Sequence, residues 1–346
     1  MNDLLQTPAN LPDGWTARGP ELDDLPRLVA LRSADKNPFT GSSGVAEETV
    51  ESEIAGLKSW TRRQQVAVDP DGVVRAWATV HDRAAGRTMV HLYVDRGDYP
   101  GVDRAADVAA SLYAWMEERA RAIARMRGLT GTQLDASPYA EDTVQRGWLE
   151  AAGYTKVRTW LQMTRPVDPD EAETLPAPRP GVTVRRVGTH DNGLPVAADL
   201  RTVHQMLEES FADHFNSYRE SFPEFVQRLR EDPGHRWDHW WLAFVDDPER
   251  PDGPPLPAGA LVASLLQPGP NGKEGSYVEY IGVNRRARGR GVAKALLFAV
   301  IGDVAERGGD RVGLEVDADS PTGADGLYTS LGWTTDYVTE SWHKDI

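Results

Sequence analysis

Cysteine is missing from the 346-residue sequence. Its absence excludes disulfide bonds, thiolate nucleophiles and cysteine-ligated metals, so an acyl group cannot pass through an acyl-cysteine. Long hydrophobic runs are missing too. The richest, residues 293–301, is shorter than the ~18 apolar residues that span a membrane and fits a buried helix. The first residues lack the basic and apolar regions of a secretion signal. We therefore expect a cytoplasmic protein with no membrane partner.

Positive charge is scarce. The chain carries 38 Lys and Arg against 53 Asp and Glu, a formal net charge of −15. Nucleic-acid binding depends on counterion release from a broad basic face, so we expect no nucleic-acid partner. The acidic balance instead suits the attraction of a small cationic substrate, such as an amine.

A seam rich in proline and acidic residues, 166–180, divides the chain and predicts an exposed, semi-stiff linker. The stretches on either side follow one order of elements, and residues 148–154 (WLEAAGY) resemble residues 327–333 (LYTSLGW). The length suits two domains. We predict an α+β fold of two tandem domains, 1–165 and 181–346, each a mixed, mostly antiparallel sheet flanked by helices. The protein is expected to be a monomer or homodimer.

The strongest local signal is a strand followed by a glycine-rich basic turn and a helix. Residues 277–283 alternate as a half-buried strand does, and the helix is predicted from Gly289 to about Glu306. A helix N-terminus offers free N–H groups and positive dipole charge, and Gly289 and Gly291 allow a pyrophosphate to approach the backbone. No Gly-Lys-Ser/Thr sequence is present, which excludes a Walker motif, and the glycine spacing disfavours a Rossmann turn. A basic loop without a ligand remains the alternative.

A second helix follows the next strand. In it, Ala324, Leu327, Tyr328 and Leu331 share one stripe, with Gly332 at the C-terminal end. By spacing alone, Tyr328 is a core aromatic residue.

Together these motifs resemble a known family. The order strand, Arg-x-x-Gly-x-Gly-x-Ala, helix, strand and Leu-Tyr-x-x-Leu-Gly-aromatic resembles the GCN5-related N-acetyltransferases (GNAT). Residues 314–320 and 327–335 are similar to the actinobacterial tandem members that include mycothiol synthase. The specific match covers residues 279 to about 337.

The resemblance implies acetyl-CoA as co-substrate and no metal. The thioester arm would lie between two splayed strands along Ile281, Gly282 and Val283, and a backbone N–H near Gly282 or Val283 would polarise the thioester carbonyl. Tyr328 would protonate the departing thiolate. Ser320 stands where many relatives carry asparagine, and its shorter side chain would contact the pantetheine. The residues implied to hold the pyrophosphate are Arg288, Gly289, Arg290, Gly291, Val292, Ala293 and Lys294.

An ammonium must lose a proton before it attacks an acyl carbon, and Glu279 is the candidate base. Strand alternation predicts that Glu279 shares a face with Ile281 and Val283. An ordinary solvent-facing glutamate is an equal alternative, because alternation fixes the face of the strand but not which face meets the cleft. In mycothiol-synthase-like sequences the strand glutamate lies one pleat earlier, where this chain has Tyr277.

Acceptor contacts are predicted in residues 211–218, where Asp213 either holds an ammonium or belongs to a solvated helix face. The run from His235 to His239 suggests a metal, but it lacks a third ligand at a sensible spacing, so we predict none.

The first half lacks the glycine-rich basic turn. Asp98 and Asp103 stand in its place and would repel a pyrophosphate, and Leu149 takes the position of Tyr328. We therefore predict that domain 1–165 is degenerate and supports a catalytic domain at 181–346.

The sequence predicts an N-acetyltransferase that moves an acetyl group directly from acetyl-CoA to a primary amine of a small metabolite. A CoA-binding sensor or pathway partner without turnover is the alternative. A nucleic-acid or protein-binding module that uses the arginine turn is the least favoured.

Overall fold

A computed structural model describes residues 11–346 except 43, 84–86, 98–101, 213–219, 251, 270 and 320–322. The chain divides into two compact units. Unit 1 comprises Met1–Leu161, Asp317–Thr322 and Asp336–Ile346, and unit 2 comprises Gln162–Val316 and Gly323–Thr335. The C-terminal residues thus belong with unit 1, and unit 2 begins before residue 166. The boundaries drawn from the sequence remain a prediction about how the chain is organised into domains.

Both helices and strands occur throughout the chain. The strands are β1 (Thr16–Arg18), β2 (Arg62–Val68), β3 (Val74–Asp82), β4 (Arg87–Val94), β5 (Gln133–Ala136), β6 (Thr155–Pro166), β7 (Val182–Arg186), β8 (His235–Val245), β9 (Leu256–Leu266), β10 (Gly275–Val283), β11 (Arg311–Asp317) and β12 (Thr334–Asp345). The helices are α1 (Leu25–Thr40), α2 (Glu47–Ile54), α3 (Val102–Met126), α4 (Thr143–Ala151), α5 (Glu171–Thr174), α6 (Ala197–Phe211), α7 (Phe222–Arg230), α8 (Val292–Glu306) and α9 (Ala324–Ser330).

Unit 1 is built on a sheet with the strand order β1-β2-β3-β4-β5-β12. These neighbours are antiparallel except for β4 and β5, which are parallel. Strand β4 alternates in burial, and its buried residues Val90, Leu92 and Val94 lie in the core. One core cluster contains Leu112, Met116 and Leu92, and a second contains Leu28 and Trp77. Helices therefore cover both faces of this sheet.

Unit 2 repeats the plan with the strand order β7-β8-β9-β10-β11. The pairs are antiparallel except for β10 and β11. Helices α6 and α7 contribute Leu207 and Phe225 to a core with Trp240, while α8 contacts β7, β8, β9 and β10. The apolar run found in the sequence is buried in α8, where Leu296 and Val300 have no exposed surface. The predicted fold class, mixed sheets flanked by helices in two similar units, is confirmed.

The late sequence repeat has the same local structure in both units. The N–H of Tyr154 donates to the carbonyl of Leu149 at 3.0 Å, and the N–H of Trp333 donates to the carbonyl of Tyr328 at 3.1 Å. The glycine before each aromatic residue is left-handed, with φ of 85° at Gly153 and 95° at Gly332. Each short helix thus ends in the same glycine cap.

The proline-rich seam is largely exposed, but it is not detached from unit 2. Helix α5 within it packs on α8. Arg165 forms an ion pair with Glu171, and Val167, which is 7% exposed, donates its N–H to Asp310. Within the described ranges, no helix has both the length and the apolar character needed to cross a membrane.

Candidate active site

Two parallel strands of unit 2 part at a bulge. β10 pairs with β11 over Gly275–Val278, opposite Arg311–Leu314. On its other side β10 pairs with β9, and that register shifts between Val278 and Tyr280, so Glu279 is the extra residue. Beyond the bulge, β10 has β9 as its only strand partner among the residues described. An opening therefore separates the end of β10 from β11.

Backbone groups of β10 line this opening. The N–H of Asn284 donates to the carbonyl of Ala258, at the end of the β9 pairing, over 2.8 Å. Because backbone groups alternate along an antiparallel pair, the N–H and C=O of Gly282 also point to β9. Those of Ile281 and Val283 then point into the opening. Gly282 has a separate role: a Cβ there would lie 2.8 Å from the Cβ of Ser210, so glycine permits the close approach of α6.

The basic turn that follows is held in shape by Asn284. Its Oδ1 accepts the N–H of Arg286 at 3.0 Å and caps a short 3₁₀ turn, Arg285–Ala287. Gly289 and Gly291 both adopt left-handed backbone, with φ of 77° and 88°. The helix was predicted to begin at Gly289, but α8 begins at Val292, because these two glycines cannot have helical φ while they shape the turn.

The turn presents a set of unpaired amides. In the part of the chain that the structure describes, the following N–H groups have no hydrogen-bond acceptor: Gly289, Gly291, Val292, Ala293 and Lys294. The first N–H groups of a helix have no partner within the helix, and they carry the positive end of its dipole. Arg288 and Lys294 are exposed, and no atom lies within 4 Å of a Cβ built on Gly289. These residues fit a diphosphate.

Glu279 lies on the face of the sheet covered by α6 and α7. The hydroxyl of Ser264 donates to its Oε1 at 2.7 Å, and Ser264 shares a strand face with Val262, which packs against those helices. The expected face was therefore wrong. A Cβ on Gly259, opposite Val283, would meet Val292 and Leu296, so Val283 faces α8. The bulge is the reason, since its extra residue reverses the alternation.

Several groups set the pKa of Glu279. Burial raises the pKa above its usual range, and the hydrogen bond from Ser264 opposes that rise. The negative charge of Asp232 raises it further, and the positive charge of Arg228 lowers it. A carboxyl group held in this way accepts a proton more readily than an exposed glutamate.

Tyr328 is buried in α9, with 7% of its surface exposed. Its ring packs edge-on against Trp333, with ring centroids 5.9 Å apart. The hydroxyl has no hydrogen-bond partner among the described residues, and burial raises the pKa of Tyr328 to about 12. Since β10 and β11 are parallel, their C-terminal ends, which lead to the glycine turn and towards α9, lie at the same edge of the sheet.

The structure gives less information about the other residues that were predicted as candidates. Ser320 and Asp213 lie outside the described residues. His235 packs on Trp237, with ring centroids 4.4 Å apart, and Nδ1 of His239 lies 2.9 Å from Asp238. Among the described residues, no group of three or more His, Asp or Glu is placed to hold a metal ion.

The corresponding strands of unit 1 differ. β4 and β5 pair in parallel over only three residues, from Arg87 to Met89, but the register of β4 with β3 is unbroken. Leu149 is fully buried in the core. Asp98 and the side chain of Asp103 lie outside the described residues. Unit 1 thus has a parallel strand pair like that of unit 2, but the described residues of β4 lack a bulge like the one that contains Glu279.

Sequence reasoning missed three residues at this site: Ser264, Asn284 and Arg179. A serine within the apolar strand LVASLL was a weak signal, because a buried hydroxyl needs a partner. Asn284, directly before the basic turn, was readable as a cap. Arg179 lies in the proline-rich seam and donates to the carbonyl of Gly289 in the turn at 3.2 Å, and no local pattern in the sequence distinguishes it.

Comparisons with known proteins agree with the motifs. Residues 203–333 match the acetyltransferase (GNAT) family. Mycothiol acetyltransferase of Kocuria rhizophila is 28% identical over 234 residues, which cover 66% of this chain and 69% of that protein. The crystal structure of a GCN5-related N-acetyltransferase from Sphaerobacter thermophilus superposes with a TM-score of 0.72 at 27% identity, covering 97% of this chain and 96% of the other.

A tandem GNAT protein from the clavulanic acid biosynthesis pathway shares the fold. Its TM-score is 0.64 at 15% identity, over 96% of this chain and 98% of that one. The resemblance inferred from the motifs is confirmed: residues 203–333 match the GNAT acetyltransferase family, which supports an N-acetyltransferase, and the chain shares the fold of a tandem GNAT protein.

Proposed function

We propose that unit 2 transfers an acetyl group from acetyl-CoA to a primary amine of a small metabolite, directly and within a ternary complex. The observation that carries the proposal is the parting of β10 from β11 at Glu279, directly before a turn rich in unpaired amides. The pantetheine arm would extend along the exposed backbone edge of β10. The diphosphate would bind the N–H groups from Gly289 to Lys294.

Each reacting group then has a named partner. Glu279 accepts the proton of the attacking amine, directly or through a water molecule. The N–H of Val283, which points into the opening, polarises the thioester carbonyl; its neighbour Gly282 points to β9 instead. As the C–N bond forms and the C–S bond breaks, Tyr328 donates a hydrogen bond and then its proton to the departing thiolate. A phenol with a pKa of about 12 stays protonated through the neutral range, so its O–H is present when the thiolate forms.

The charges around Glu279 favour a cationic acceptor. Asp232 and Glu315 place negative charge near it. Arg228, whose positive charge lowers the pKa of Glu279, is engaged by Glu220 through two hydrogen bonds of 2.8 and 2.6 Å. An ammonium group is therefore attracted to this region, in agreement with the net charge of −15. Residues 1–165 would support this domain without catalysing the reaction.

The test is an assay that traps free CoA thiol, run with acetyl-CoA against aminoglycosides, amino sugars, amino acids and polyamines. We expect thiol release with at least one cationic amine and a large loss of rate in Tyr328→Phe. If acetyl-CoA binds but no amine releases thiol, the proposal is wrong and a non-catalytic CoA sensor is favoured. If Tyr328→Phe retains full activity, the assigned acid is wrong.

A further inference from the structure

The end of the proline-rich seam touches the glycine turn. Nη1 of Arg179 donates to the carbonyl of Gly289 at 3.2 Å. Its Cδ lies 2.9 Å from the position that a Cβ on Gly291 would take, closer than a real Cβ tolerates. Glycine at 291 thus serves the left-handed backbone and also makes room for Arg179. All three residues belong to unit 2.

Arg179 is exposed, and within the described part of the chain no carboxylate lies within ion-pair distance of it. Some other arginines of unit 2 are paired with carboxylates: Arg185 with Asp199, and Arg186 with Asp303. The charge of Arg179 is available to an anion.

The backbone around Arg179 is fixed rather than free. Its carbonyl accepts the N–H of Val182 at 3.0 Å, and the carbonyl of Gly181 accepts the N–H of Asp246 at 3.0 Å. Asp246 in turn receives Nη1 of Arg290, from the turn itself, on its carbonyl at 3.2 Å. The seam and the turn are therefore joined by hydrogen bonds through Asp246. These bonds fix the position of the backbone from which the Arg179 side chain extends.

The position of Arg179 matches the chemistry of a phosphate contact. Its guanidinium is bound to the carbonyl of Gly289, next to the unpaired amides of Gly291 and the start of α8. One hydrogen bond to a neutral carbonyl leaves most of its five N–H donors unused. A phosphate would engage them in charge-assisted, bidentate bonds, which are about twice as strong as neutral ones.

We propose that Arg179 is a ligand of the acyl-CoA diphosphate, supplied by the seam between the two sequence domains and not by the turn motif. The inference rests on the proposed function, since it assumes that acyl-CoA binds at this turn.

The test is calorimetric titration of CoA into the full chain and into Arg179→Ala and Arg179→Lys. The control is Arg201→Ala, which removes another exposed arginine of unit 2 that has no carboxylate partner among the described residues and packs on Phe222. We expect Kd to rise about tenfold in Arg179→Ala, less in Arg179→Lys, and not in Arg201→Ala. The KM for acetyl-CoA should rise in parallel, with kcat unchanged at saturation.

Acetyl-dephospho-CoA, which lacks the ribose 3′-phosphate, assigns the contact. If Arg179→Ala weakens the binding of this thioester as well, the contact is with the diphosphate. If the variant and the unmodified chain bind it equally, that assignment is overturned. If Arg179→Ala binds CoA as the unmodified chain does, the inference is wrong while the proposed function stands. If the unmodified chain binds no CoA, the proposed function itself fails.

Discussion

The hydroxyl of Ser264 donates a 2.7 Å hydrogen bond to Oε1 of Glu279. Glu279 is the extra residue of the β10 bulge, and the bulge places its side chain on the face opposite to those of Ile281 and Val283. The hydrogen bond stabilises the carboxylate against the cost of its burial. The hydrogen bond thus holds the carboxylate that we propose as the base, and this carboxylate belongs to the bulge at which β10 and β11 separate.

Glu279→Gln should lower kcat/KM by ~10²–10⁴, because an amide cannot accept the proton of the amine. In the unmodified enzyme the rate should rise as pH rises through the pKa of Glu279, since only the deprotonated form acts as a base. That pKa lies above the usual glutamate range. The measurement is a pH profile of kcat/KM, in which the variant should lose this ascending limb. An equal rate for both proteins at neutral and high pH would rule out Glu279 as the base.

Ser264→Ala removes the bond that favours the charged carboxyl of Glu279. The pKa of Glu279 should therefore rise, and the ascending limb of the pH profile should move to higher pH while the plateau keeps most of its rate. The measurement is the midpoint of that limb in both proteins. A loss of rate that is the same at every pH would instead indicate a structural role for Ser264.

Tyr328→Phe should reduce kcat by ~10²–10³, without changing the Kd for CoA or Tm. The phenylalanine ring can keep the contact with Trp333, and the hydroxyl has no partner to lose among the described residues. Tyr154→Phe is the matched control, because Tyr154 is also buried and its hydroxyl also lacks a partner. Steady-state kinetics should show a loss only for Tyr328. Since burial raises the pKa of Tyr328 to about 12, ionisation of this residue should cause no loss of rate below ~10 on the pH scale.

Gly291→Ala should raise the KM for acetyl-CoA by more than about tenfold. The added methyl group meets Arg179 and the backbone has φ of 88°, so the turn must change shape. The accompanying strain should destabilise the fold by ~1–2 kcal/mol. Gly272→Ala is the control, because Gly272 has φ of 74° but no atom within 4 Å of an added Cβ. It should lose comparable stability in urea unfolding and keep its KM; a matching rise in KM would refute a specific role for Gly291.

Acidification should destabilise the protein through buried histidines. Burial lowers the pKa of His91, His235 and His343 to about 4. The unfolded chain, with histidine pKa values near ~6.5, binds more protons than the folded chain between these limits, so the free energy of unfolding falls as pH drops from ~6.5 to ~4. Asp35, whose pKa burial raises to about 6, acts in the opposite direction and reduces the slope. Urea unfolding at several pH values measures how the free energy of unfolding depends on pH. A free energy that stays constant over this window would contradict the role assigned to the buried histidines.

The glycine turn could be predicted because its signals are local. Gly289 and Gly291 adopt the left-handed backbone that glycine favours, and the aromatic residue after Gly332 marks a helix cap that recurs in unit 1. The start of α8 was placed too early, because a glycine-rich stretch is compatible with either a helix or a turn. The face of Glu279 was wrong because alternation assumes a regular strand, and nothing in the sequence announced a bulge at that residue.

The sequence alone determined the fold class and the resemblance to the GNAT family, and it located the glycine turn at which we propose that a diphosphate binds. These depend on periodicity and on backbone conformations that neighbouring residues impose. Only the tertiary structure decided which side of β10 carries Glu279, which amides face the opening, and that Arg179 returns to the turn. Those relationships depend on strand register and on contacts between residues far apart in the chain, such as Arg179 with Gly289, and no local pattern encodes them.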